Sequence, residues 1–531
     1  MKNNFSIIIV VIISLLFISR GNYAQSIELP DFVITGVQSV SIPTMKKNKS
    51  NYIPVISDEF LTPTYDPEDF TLTDYTSPIK KELELYKEPH GYNGLLKVGV
   101  GIQTIPIGDF YFNKSIGQFL FDTHIWGLNI REYIPNAGYN TSGGKLNFNY
   151  FINKRSLVFH GLSIRLDATF FREGYKLYGS ISPYKVRENN FQQFNLSFIN
   201  RLKRTLNYGF KISGRNVNLT KDDVKENRYD WNLFLKYDFG PFAVGFDGLI
   251  ITQDVIKNNG VLNKYNYFGG NAFVKFDRSD VFYAKAGVHY SGQGSNSFFS
   301  PFGDVSFFIT KDISIFASYF GGTEFLTINN FIATNRYYKA ADVDNVFQRT
   351  SSKISGAIKY EYKRLLEING GVAFSKLNDY MYFEDNLVDG LFDVNSIDDV
   401  DRMVLFFNVT FNTPLYGKLY ANVELQDVKN SAGKKLPYTP TFTTNFAYTY
   451  TFTSDLLGRA EFKYFTGNYA DLENTLKLPG YFDMSIYLRY NIIKPLAITA
   501  TIGNLFNSYN YVYKNYRERP FDVIFGVEYN W

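Results

Sequence analysis

No cysteine occurs anywhere in the 531-residue chain. This excludes disulfides, thiolate metal sites, a cysteine nucleophile and the lipid-modified cysteine of a bacterial lipoprotein. Histidine is nearly absent too. His90, His124, His160 and His289 lie far apart without ligand spacing, so they read as isolated structural or lumenal imidazoles rather than a metal set. No Ser-His-Asp arrangement is legible, and neither an enzyme nor a cofactor site is expected. Charge of one sign is also missing. Lys and Arg number 55 against 51 Asp and Glu, a net +4 that offers nothing to nucleic acid. Beyond the first residues there is no apolar run long enough for a transmembrane helix, which needs about 20 residues.

The one apolar run, Ile7–Ile18, follows Lys2 and precedes Asn22-Tyr-Ala-Gln25, with a cut near Ala24 or Gln25. Residues 1–25 therefore read as a secretory signal peptide rather than a membrane anchor, for which the run is short. The mature chain is exported, and it is either secreted or built into a membrane as strands.

What the chain has in abundance is aromatics, with 51 Phe and 42 Tyr. They suit strands and the interfacial girdles of a membrane barrel. The chain ends in FDVIFGVEYNW. Phe521, Val523, Phe525, Val527, Tyr529 and Trp531 share one face, while Asp522, Glu528 and Asn530 lie on the other. The same period of two returns at Leu162–Phe170, Phe194–Phe198, Tyr208–Ile212, Ile354–Tyr362 and Phe482–Tyr490, and no helical period interrupts it.

Tight polar turns separate these runs. They centre on 113–115, 153–156, 203–205, 238–241, 277–280, 310–312, 363–364, 412–414, 453–455 and 493–495. Longer connections, such as 173–190, 321–347, 378–401 and 427–440, fall between them, and short and long alternate without an evident exception. That alternation describes an outer-membrane barrel, with short turns facing the periplasm and long loops outside. Counting strands by turns predicts an all-β fold, a transmembrane antiparallel β-barrel of about 22 strands over residues 92–531. The rival, a soluble propeller, has shorter strands and no reason for such alternation.

A closed sheet must pair its last strand with its first, near 95–101. The terminal strand, with Phe525, Val527, Tyr529 and Trp531, resembles the signal read by the barrel-assembly machinery of Gram-negative bacteria. Asn504-Leu-Phe-Asn507, followed by Tyr509 and Tyr511, resembles the stretch before the last strand of TonB-dependent receptors. Arg517-Glu-Arg-Pro520 partly matches an element of their last loop. At the other end, Ile27–Gly36 resembles the short segment that opens many such receptors. Physically, Phe32, Val33, Ile34 and Thr35 suit edge-strand addition to a partner's sheet. The resemblance implies a Gram-negative outer membrane, lipid contact and TonB as partner. It departs where a plug domain is expected. Residues 26–91 are rich in Pro, Thr, Asp and Lys and read as an extended periplasmic or lumenal segment.

The function implied is transport of a solute or siderophore-like ligand across the outer membrane. The alternatives are a plug-less structural or assembly barrel within a multi-protein complex, with a plug or lipoprotein partner, and a passive pore. They differ in what blocks a wide lumen: the N-terminal segment, infolded loops or a partner chain. Two further groups draw attention. The acidic run Glu384, Asp385, Asp389, Asp393, Asp398, Asp399 and Asp401 lacks a regular calcium-loop spacing and reads as a solvated external loop. Lys211, Arg165, Asp167, Lys359, Glu361 and Arg489 are expected to face the lumen.

Overall fold

A computed structural model describes residues 93–152, 161–184, 186–200, 205–257, 260–278, 281–340, 346–363, 365–413 and 416–531. The signal peptide, the segment 26–91 and Phe32–Thr35 lie outside the described residues, as do His90 and His160.

Twenty-two antiparallel strands form one sheet. It closes on itself, because the first strand, Gly94–Gly101, pairs with the last, Asp522–Asn530, through Leu96–Tyr529, Val98–Val527 and Val100–Phe525. Both the strand count and the closing pair agree with the sequence pattern. Closure removes the sheet edges, which hydrocarbon could not satisfy. No helix among the described residues is long and apolar enough to cross a membrane.

The period of two assigns the faces. Val527 and Tyr529 are 41% and 45% exposed while Glu528 between them is 4% exposed. Leu233, Leu235, Phe246, Ile354, Ile358, Phe407 and Ile498 share the exposed face. Aromatics crowd the turn end of this surface, with Phe239 and Phe242 beside the Gly240–Pro241 turn, Tyr362 beside Lys363, and Phe452 beside the 453–455 turn. An apolar exterior with an aromatic girdle around a closed barrel places the protein in an outer membrane. The opposite face carries paired charges. Glu528 meets Lys97 at 3.2 Å and Arg489 at 2.9 Å and accepts the Tyr487 hydroxyl proton at 3.0 Å. Arg165–Asp167 and Lys359–Glu361 are further lumenal pairs, at 2.8 and 3.5 Å.

Three features differ from the sequence pattern. Short and long connections do not alternate strictly. At the loop end, Gly101 to Thr104, Leu219 to Val224, Lys257 to Gly260 and Gln293 to Asn296 are also tight. The reason lies in strand length. Val224–Phe239, Phe242–Lys257 and Gly260–Arg278 run for 16, 16 and 19 residues, so this wall rises beyond the membrane as sheet instead of loop. Second, 113–115 is strand, and the turn falls at Gly117–Gln118, where Gly117 takes a φ of +61°. Third, one short helix, Ile328–Thr334 (α1), breaks the all-strand pattern inside the 321–347 connection.

The stretch Asn504–Asn507 has a structural role. The Asn504 amide donates to the carbonyls of Ser508 and Arg519, at 2.9 and 3.2 Å, and its carbonyl oxygen accepts the Ser508 N–H. Arg519 then donates to Thr104 Oγ1 at 2.6 Å, and Thr104 donates to Asp522 at 2.6 Å. The last loop is thus tied to the turn after the first strand, across the seam.

Arg in place of Phe525 or Val527 costs about 2–4 kcal/mol when placed near the bilayer midplane. Both variants should fail to reach the outer membrane, read by fractionation and heat-modifiable gel mobility; normal levels would reverse the face assignment. Glu528→Gln should assemble but unfold at lower temperature. It leaves Lys97 and Arg489 without their countercharge, a loss of about 1–3 kcal/mol.

Candidate functional site: a folded cap across the barrel mouth

Long loops over water need not pack, but these do. One apolar core unites Phe191, Val217, Leu219, Val224 and Val255 on the strands with residues of the loops. From the loops come Ile328, Phe331 and Tyr338, then Phe383 and Phe392, then Tyr438, Ala470, Tyr513 and Tyr516. In strand order, Val217–Val255 lies roughly opposite the strands that carry Tyr438 and Ala470. A core shared by both sides crosses the mouth.

Local sequence explains each contribution. α1 is only 7 residues long, begins at Thr327 with a capping box to Asn330, and turns Ile328, Phe331 and Ile332 inward at a spacing of three to four. The 378–401 connection forms a hairpin, Tyr380–Glu384 against Asp393–Ile397. Its tip is shaped by Asp385, whose carboxylate accepts the N–H groups of Asp389 and Gly390 at 2.9 and 3.1 Å. Gly390 is required there, because its φ is +79° and a Cβ would lie 2.2 Å from the Gly179 carbonyl. The acidic run therefore serves turns and cations. Asp398 accepts the Asp379 N–H at 2.9 Å and lies 3.9 Å from Arg349, and Asp393 lies 3.7 Å from Lys339.

Tyrosine hydroxyls stitch the loops together through backbone carbonyls. Tyr516 donates to Gly390 at 2.7 Å, Tyr513 to Thr334 at 2.7 Å, and Tyr178 to Arg517 at 2.7 Å. The Tyr337 and Tyr516 rings stack at 3.6 Å. Burial pushes the Tyr438 and Tyr516 phenols well up, so both stay neutral and Tyr516 remains a donor. Glu384 accepts the Leu472 N–H at 2.9 Å, and burial, reinforced by the Asp471 and Glu473 carboxylates, pushes its carboxyl up.

The cap is held to the wall by Arg187, which is 1% exposed. It pairs with Asp222 at 2.7 Å and donates to the carbonyls of Tyr338 and Arg336, at 2.6 and 3.2 Å. Glu226, two strands further along the wall, accepts the Asn329 N–H at 3.3 Å, at the start of α1. None of these residues stood out in the sequence, where only the surplus of tyrosine hinted at them. Of the residues singled out there, Phe525, Val527, Tyr529 and Trp531 lie on the lipid face at the seam, away from the cap. No group of His, Asp or Glu among the described residues is arranged to hold a metal ion.

No family model and no curated protein matches the sequence. Solved structures do. A variant of the ferric enterobactin receptor of Pseudomonas aeruginosa superposes with a TM-score of 0.62 at 10% identity, over 83% of this chain and 80% of its own. The siderophore receptor PiuA of Acinetobacter baumannii gives 0.62 at 12% identity, over 82% and 81%. The FrpB iron transporter of Neisseria meningitidis gives 0.64 at 11% identity, over 83% and 81%.

Removing the Phe392 side chain should cost about 3–5 kcal/mol of cap packing, and Arg187→Ala a similar amount. Limited proteolysis on whole cells should then cut 385–392 and 511–517 at least a hundredfold faster while the barrel strands stay intact. Unchanged cleavage would mean that the loops do not form one cooperative unit. The barrel itself has the fold of the outer-membrane receptors for siderophores and iron, the fold that the resemblance to TonB-dependent receptors implies.

Proposed function

We propose that the chain is an outer-membrane uptake receptor whose external loops are the gate. The observation that carries this reading is the single core spanning the mouth, with its buried Arg187–Asp222 tether. A passive pore has no use for a folded cover, since a wide barrel conducts best when open. A gate, by contrast, must be stable when shut and held by contacts that a ligand can rearrange. The neighbours named for siderophores and iron support solute import as the direction of travel.

In this reading Phe32–Thr35 engages TonB in the periplasm by strand addition, and residues 38–91 lie in or under the lumen. The charged inner wall supplies polar partners for such a segment, as in Lys97–Glu528–Arg489 and Arg459–Glu461.

Planar-bilayer conductance of the purified full chain should be low. Deleting 27–36 should leave it low but abolish capture of the periplasmic domain of TonB. Deleting 38–91 should also leave it low, because the loops still close the mouth, whereas Phe392→Ala, which loosens the cap, should raise it. A full chain that conducts steadily as a large open pore would overturn the gate, and retained TonB capture without 27–36 would overturn the assignment of the N-terminal segment.

A further inference from the structure

The outer wall of a barrel is convex, yet at the seam the lipid face carries a depression of about 1040 Å³. One register row runs through it, from Gly127 and Gly108 across the seam pair Val98–Val527 to Tyr490. Phe525 and Leu488, both exposed, stand in the row beside it. The lining is almost wholly apolar, and the Asn129 amide at its edge is taken by the Ile105 carbonyl at 2.6 Å.

Missing side chains leave the space open. A Cβ on Gly127 would meet nothing within 4 Å, and one on Gly108 would come no closer than 3.7 Å, to the Lys97 carbonyl. Neither glycine has a positive φ, so neither the chain path nor a neighbour demands it. The depression also lies over a short join. Seven residue pairs hold the first strand to the last, against sixteen between Val224–Phe239 and Phe242–Lys257. An apolar occupant lying across Val98 and Val527 buries surface on both strands of the seam.

Charges at the turn end identify that occupant. Lys494 lies four residues beyond Tyr490, about 13 Å along an extended strand. It is exposed and makes no ion pair among the described residues. Asp455 stands in the adjoining turn, joined to the same strand by the Asn491 N–H, which donates to the Asp455 carbonyl at 2.8 Å. Its carboxylate is exposed and accepts the Ser454 hydroxyl at 3.0 Å. A cation and an anion on adjoining turns, with an apolar depression above them, match a lipid whose head carries both a phosphate and an ammonium. These short turns face the periplasmic leaflet, which is built of phospholipid. A lipid of the other leaflet has its head at the loop end. A second barrel would cover the depression but answer neither charge.

We propose that the seam depression holds one zwitterionic phospholipid. An acyl chain lies over Gly108 and Gly127 across the seam, the phosphate meets Lys494, and the ammonium meets Asp455. The assignment is independent of what the lumen carries.

The full chain, stripped of lipid in detergent and mixed with micelles containing palmitoyl-oleoyl phosphatidylethanolamine, should retain one lipid per barrel in native mass spectrometry. Retention should raise the temperature at which heat-modifiable mobility is lost, because the ligand binds only the closed barrel. Gly127→Leu and Gly108→Leu, for which there is room, should abolish retention while the barrel still assembles. Gly356→Leu faces lipid between Ile354 and Ile358 on another part of the wall and should retain the lipid. Lys494→Ala should weaken retention about fivefold, the loss of one lysine at a lipid surface, and Lys494→Arg should keep it. No retained lipid, or equal retention by the Gly127→Leu and Gly356→Leu variants, overturns the site. Equal retention of phosphatidylglycerol, which lacks the ammonium, overturns the headgroup assignment. A barrel dimer in place of a bound lipid overturns the occupant.

Discussion

Everything in this molecule depends on one constraint: a backbone N–H or C=O facing hydrocarbon must find its partner within the protein. A sheet meets that demand only by closing, so the pairing of Gly94–Gly101 with Asp522–Asn530 decides whether the barrel exists. These strands are short, at 8 and 9 residues, and their register is secured from outside the ladder. Glu528 joins Lys97 to Arg489 across the seam, and Thr104, Asp522 and Arg519 clamp its loop end. The Asn504 turn, far from any ligand path, matters because it delivers Arg519 to that clamp.

With the wall closed, the loops are free to solve a different problem. Water satisfies their backbone, so they need not pack. That they bury Phe392, Tyr338 and Leu436 almost completely means the cap has its own folding free energy. The strands on the long side reach up to meet it, and Arg187 stands where wall and cap join. A buried guanidinium is an expensive tether, worthwhile only when its carboxylate and carbonyl partners stay in place. Displacing the Tyr338 segment would take the Tyr338 and Arg336 carbonyls from Arg187 and leave it only Asp222.

The lumen wall joins these two parts. Several of its charges stand in pairs, as at Lys97–Glu528–Arg489, and the stacked rings of Phe171 and Phe191 reach the cap core.

Much of the barrel was legible in the sequence. Alternation is local, so Phe525, Val527 and Tyr529 could be assigned to the lipid face without knowing their neighbours, and turn residues marked strand pairs well enough to count them. Closure followed from solvent physics alone. The errors arose where strand length, not loop length, made up the external structure, as in Val224–Arg278, because alternation looks the same above the membrane as within it. The cap could not be read at all. Arg187 with Asp222, Tyr516 with Gly390, and Trp126 over Gly143 toward Phe171 are contacts between residues of no shared period. The sequence by itself determined the faces, the strand count and the need to close, because each is a consequence of period and solvent. Only the tertiary structure decided what covers the mouth and what lines the way through it, because those depend on which distant loops and strands the closed barrel brings together.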